Sequence, residues 1–147
     1  MALLTAAALP AGRQLTGIVL LAAAVSPAFD VSHAATKVRT AIWNFYSWFD
    51  CFFLIFGTTV CGTMDGKHGV SAGAVGFRGP RAAELSAAGR LIQVPWNWRM
   101  LGQFNPGEHF GCVHRVFVAE QIAPLIIAQE SAENAGDCDA DGQMRRV

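Results

Sequence analysis

Charge is scarce in this chain: Asp, Glu, Lys and Arg make up 15% of its 147 residues, against roughly a quarter in an ordinary soluble domain. Mean hydropathy is correspondingly positive, at +0.32. Lysine is almost missing, with two residues against nine arginines. From Lys67 to Arg115 there are six Lys/Arg against Glu84 and Glu108, a net +4. That charge is spread thinly, whereas a nucleic-acid surface needs basic side chains gathered on one face among stacking aromatics. Nucleic acid is therefore not an expected partner.

Cysteine is also sparse. Cys51, Cys61, Cys112 and Cys138 are irregularly spaced and do not read as a disulfide framework. There is no N-x-[ST] sequon and no C-terminal prenylation box, and Met1 is followed by Ala2 rather than the glycine that myristoylation requires. Nothing here marks extracellular life or a lipid anchor.

What is present is apolar and unevenly placed. Residues 1–29 carry one charge, Arg13, and residues 40–62 carry only Asp50. The first apolar run, Leu15 to Val25, follows Arg13 and precedes a small-residue site at Ser32-His33-Ala34. Segment 1–34 therefore reads as signal-like or as a first membrane helix over about residues 14–29. Such a helix is short, roughly 24 Å against about 30 Å of hydrocarbon. The second run, 40–61, is about 33 Å long as a helix and suits a bilayer. Nine Leu, Ile, Phe and Val residues there contribute about −3 to −5 kcal/mol, and a central Asp50 costs about +3. Trp43, Tyr46 and Trp48 gather at its N-terminal end beside Lys37 and Arg39, as interface anchors do. Thr40, Asn44, Ser47, Cys51 and Thr58, with Cys61, fall on one helical face, flanked by Asp50. In lipid, a small and polar seam of that kind is where another helix packs. Two competing readings are a soluble amphipathic helix and a strand at 52–60.

Segment 63–80 is glycine-rich and reads as a connector. In segment 81–130 a short helix is expected from Arg81 to Gln93, and an amphipathic one from Val113 to Gln129 kinked or interrupted by Pro124. Between them, Trp96 to Gly111 reads as loop, with Trp96, Trp98, Phe104 and Phe110 as contact anchors. Segment 131–147 is an acidic tail.

Several patterns resemble chemistry. Gly69-Val70-Ser71-Ala72-Gly73 has the G-x-S-x-G form of a nucleophile elbow, with His68 adjacent. That fold needs Asp and then His after the serine, but His109 and His114 precede the acidic cluster, so the motif is set aside. Asp65-Gly66-Lys67-His68 lacks the flanking residues of a phosphate loop, and Gly73, Gly76 and Gly79 have the wrong spacing for a dinucleotide fingerprint. His109, Cys112 and His114 offer imidazole and thiolate ligands at a spacing that is not a recurrent zinc pattern. Asp137, Asp139, Asp141 and Gly142 resemble the start of an EF-hand or dockerin calcium loop, but the chain stops before its bidentate glutamate.

The sequence thus leads to a mainly α chain. It has one or two membrane helices, about 14–29 and 40–61 (segment 35–62), followed by a loop-rich C-terminal region with two short helices. The expected role is a non-enzymatic accessory subunit of a membrane complex, in an organellar or bacterial inner membrane. Its partners are the bilayer and other subunits met through the Thr40, Asn44, Ser47, Cys51, Thr58 face and Asp50. No catalytic residue, cofactor or metal is assigned. The alternative is an exported binding domain after signal removal.

Overall fold

The computed structural model describes residues 1–128, and for residues 51–53 the backbone alone. Three short parallel strands, β1 (Ile18–Leu21), β2 (Ile42–Tyr46) and β3 (Leu91–Pro95), form one sheet in the order β1-β2-β3. Ile18 pairs with Ile42 and Ile42 with Leu91, and the register continues through Leu20, Asn44 and Gln93. All three strands are apolar, β-branched or aromatic at most positions, as suits strands covered on both faces. Ile18, Leu20, Ile42 and Leu91 face one core, shared with α1 (Ala2–Ala7), α2 (Ser32–Thr36), α4 (Ala72–Val75) and α5 (Pro80–Ala87). Val19, Leu21, Trp43, Phe45 and Val94 face a second core. It is closed by Met100, on the 3₁₀ turn Trp98–Gln103, by Phe117, on α6 (Arg115–Phe117), and by Ile122. Phe45 and Phe117 meet edge to face at 5.7 Å. The alternation of side chains along each strand thus builds an α/β layer arrangement.

This architecture corrects the mainly α membrane reading. No helix among the described residues is long and apolar enough to cross a membrane. The run 14–29 contains β1 and its flanking turns, because a parallel strand buried on both faces shows the same continuous apolar stretch as a short membrane segment. The run 40–61 is composite. It comprises β2, a turn at 47–50, a π-helical stretch Cys51–Gly57 and a helical turn Thr58–Cys61 (α3). The seam therefore does not lie on one helical face. The Thr40 hydroxyl donates to Thr16 O, Asn44 is buried in β2, Ser47 lies in the turn, and Cys51 and Thr58 lie in the helical stretch beyond it. Segment 1–34 also supplies β1 and the buried side chains of Leu3, Ala6, Val25, Val31 and Ala34, so a chain shortened to residue 35 would lose the edge strand and part of its core.

The helix expected over 81–93 ends at Ala87, and its last apolar residues, including Ile92, belong to β3. The helix expected from Val113 starts at Arg115 and continues to residue 128, with a π turn at Val118–Ile122 just before Pro124. Proline lacks an N–H and its ring crowds the carbonyl four residues back, and a widened turn accommodates both. The acidic tail with Asp137, Asp139 and Asp141 lies outside the described residues.

Arg90 ties α2 to the start of β3. Its guanidinium donates to Arg39 O at 2.9 Å, Ala35 O at 2.6 Å and Val38 O, serving the carbonyls at and beyond the end of α2. Replacing it with alanine removes these three bonds and is expected to cost about 1–3 kcal/mol in urea unfolding. Arg81→Ala, which loses only the exposed 3.1 Å pair with Glu84, is expected to stay within about 0.5 kcal/mol.

Candidate functional site

Chain leaving β2 turns sharply at the C-terminal edge of the sheet. The Ser47 N–H donates to Gly73 O at 2.9 Å, the Phe49 N–H donates to Ser47 Oγ at 3.2 Å, and the Asp50 N–H donates to Ser47 O at 3.3 Å. Asp50 is thereby held just beyond β2, where the helical stretch begins. Chain leaving β3 reaches the same edge through Trp96 and the 3₁₀ turn Trp98–Gln103. Trp96 Nε1 then donates to Asn105 O at 2.9 Å, and buried Asn105 accepts the Gly107 N–H on its Oδ1 at 3.0 Å. Gly107 has φ +93, and a Cβ there would lie 2.8 Å from Ser47 Oγ and 3.1 Å from Phe49 Cβ. Only glycine lets this loop lie on the Ser47–Asp50 turn in that conformation.

The packing of the two loops brings Asp50 and His109 together across 59 residues of chain. Asp50 Oδ2 accepts from His109 Nδ1 at 2.7 Å. The carboxylate is 4% exposed and the imidazole 33%, so a buried acid orients a base that solvent reaches. A neutral imidazole whose Nδ1–H is committed to a carboxylate carries its lone pair on Nε2, the nitrogen able to take a proton. A lining of Phe45, Ser47, Asp50, Trp96, Asn105 and Glu108 surrounds a small cavity at this edge. Phe49, Trp96 and Trp98 meet edge to face beside it, with ring centroids 4.8 Å apart for Phe49–Trp96 and 4.9 Å for Trp96–Trp98.

The other residues singled out in the sequence do not join this pair. Ser71 is fully buried, and its hydroxyl donates to Leu54 O at 3.2 Å, so the G-x-S-x-G pattern marks the packed start of α4 rather than an exposed nucleophile. His68 contacts Thr59 O through Nδ1 at 3.2 Å. The Cys112 thiol donates to His109 O at 3.1 Å. Burial, and after it the Asp50 charge, push that thiol up to about 11, which keeps it protonated and unreactive at neutral pH. His114 accepts the Val116 N–H at 3.4 Å as the cap of α6 and lies against Phe104, 4.9 Å between ring centroids. Among the described residues no group of three or more His, Cys, Asp or Glu is placed to hold a metal ion. Of the expected contact anchors, Trp98, Phe104 and Phe110 are exposed and Trp96 is half-buried in the site.

Asp50 and His109 were both visible in the sequence, but under other headings: one as a misfit in an apolar run, the other as a metal-ligand candidate. The signal that joins them is positional, an acid directly after one strand-like run and a histidine in the loop after the next. Comparison with family models, curated proteins and solved structures returns no match for this chain.

Proposed function

We propose that Asp50 and His109 form the acid–base relay of a hydrolase acting on esters or related acyl compounds. The observation that carries this reading is the 2.7 Å bond from the imidazole Nδ1 to a buried carboxylate at the C-terminal edge of a parallel sheet. In nucleophilic hydrolysis the base takes a proton from the attacking hydroxyl through Nε2, while the acid fixes the tautomer and stabilises the imidazolium that forms. The order of the two groups, acid after one strand and histidine after a later one, is that of the acid and base in α/β-hydrolases. Open α/β sheets also bind their ligands outside the carboxyl ends of the strands.

The hydroxyls of Ser26 and Ser71 and the thiol of Cys112 donate to Asp65, Leu54 O and His109 O, and the Ser47 oxygen accepts the Phe49 N–H. In this proposal the attacking group is water, which gives its proton to His109 Nε2 as its oxygen bonds to the acyl carbon, and that proton then passes to the departing alkoxide as the ester C–O bond breaks. This reading replaces the accessory membrane subunit, whose membrane helix is not in the described fold.

The test is hydrolysis of 4-nitrophenyl butyrate by the whole chain and two histidine variants. His109→Ala is expected to lose most of the rate above background, while His68→Ala, which removes another accessible imidazole, keeps it. Equal rates for the two variants would reduce the effect to unspecific imidazole catalysis and sink the proposal. Far-ultraviolet circular dichroism of each variant separates lost chemistry from lost fold.

A further inference from the structure

We propose that a second cleft, formed where the turn after β1 meets the loop after α3, binds the phosphate group of a small organic phosphate monoester. Its volume is about 480 Å³, and its lining includes Ser26, Thr63, Lys67, His68, Arg78 and Gly79. Three lining side chains are cationic or become so on protonation, and none is a carboxylate.

The nearest acid, Asp65, is held by the backbone and hydroxyl of Ser26, accepting from the N–H at 2.7 Å and from the hydroxyl. Burial raises the Asp65 pKa, and the Ser26 and Thr63 hydrogen bonds outweigh that effect, so it lies below the usual carboxylate value. It remains an anion held by these donors. Lys67 Nζ stands 4.0 Å from it, at the outer limit of an ion pair.

Arg78 is the strongest element. Its backbone N–H donates to Pro27 O at 2.7 Å, which fixes the residue on the cleft wall, while its side chain is exposed. Among the described residues its guanidinium makes no ion pair, unlike Arg81, which is paired with Glu84. A planar guanidinium without a carboxylate suits bidentate binding of phosphate, and a nearby ammonium adds point charge. Arg78 also borders a neighbouring hollow lined by Tyr46, Trp48, Phe49 and Trp96. The organic part of the ligand is therefore expected to be apolar or aromatic.

The experiment is calorimetric titration of the whole chain with phenyl phosphate in phosphate-free buffer, repeated with phenol. Saturable binding of phenyl phosphate is expected, weakened about tenfold or more by Arg78→Ala and again by Lys67→Ala, and falling as salt rises. His109→Ala should leave it unchanged, so failure here and failure of the hydrolase reading are separate results. Absence of saturable binding, affinity unchanged from the parent in the Arg78 or the Lys67 variant, or equal binding of phenol would each overturn the proposal.

Discussion

Asp50→Asn is expected to lower ester hydrolysis about 10⁴-fold with the fold retained, because an asparagine keeps the shape of the side chain and loses its function as an acceptor-only anion. The amide presents either its carbonyl or its NH₂ group to His109. The NH₂ group can only donate, which forces the imidazole into the tautomer with its proton on Nε2 and removes the base from the reacting side. No imidazolium stabilisation remains in either case. Asp50→Ala loses the same functions and opens a small cavity under the loop, so its unfolding midpoint should fall while its residual rate resembles that of the asparagine variant. A rate for Asp50→Asn within about tenfold of the parent would show that the carboxylate has no catalytic part.

The largest stability effect is expected at Gly73. A Cβ on this residue would lie 2.5 Å from Ala23 N, 2.6 Å from Leu54 Cδ1 and 2.7 Å from Ala22 C. Two of these atoms are backbone at the end of β1 and cannot swing aside. Nor can α4 retreat, because the Gly73 N–H donates to Ala23 O at 2.8 Å and its carbonyl accepts from Ser47 N at 2.9 Å. Alanine gains about 1 kcal/mol in helix propensity. The overlap exceeds ordinary overpacking, which costs about 1–3 kcal/mol. Sterics therefore win, and Gly73→Ala is expected to lose at least about 3 kcal/mol in urea unfolding, a large part of a typical total of 5–15. Because Gly73 also holds Ser47, the turn carrying Asp50 should loosen with it. A loss under about 1 kcal/mol would mean that the end of β1 and α4 are not packed as described.

Gly73 shows why the sequence was only partly legible. Its place in the G-x-S-x-G pattern drew attention as chemistry, whereas close approach of α4 to the end of β1 is what requires it. The apolar runs were recognised, but not their conformation. A short apolar stretch such as Ile18–Leu21 looks the same whether it is a strand buried on both faces or part of a membrane segment. In the run 40–61, Asn44, Ser47 and Cys51 are spaced as a helical face although they belong in turn to a strand, a turn and a helix. Summing hydropathy across the three elements concealed the breaks between them. At Pro124 the expected interruption is instead a widened turn at Val118–Ile122 within a helix that runs on to residue 128. The Asp50–His109 pair was not legible, since its two halves are 59 residues apart and only the parallel order of β2 and β3 brings their following loops to one edge.

The central claim is that His109 donates Nδ1–H to Asp50 and so keeps Nε2 as the base. Proton NMR of the imidazole N–H region, with nitrogen-labelled histidine and a His109→Gln variant to assign the signal, tests it most directly. The account predicts a strongly downfield Nδ1–H resonance from His109 that is protected from exchange with water and disappears or moves upfield in Asp50→Asn. A His109 ring protonated on Nε2 alone, or an Nδ1–H signal unchanged in Asp50→Asn, would contradict it.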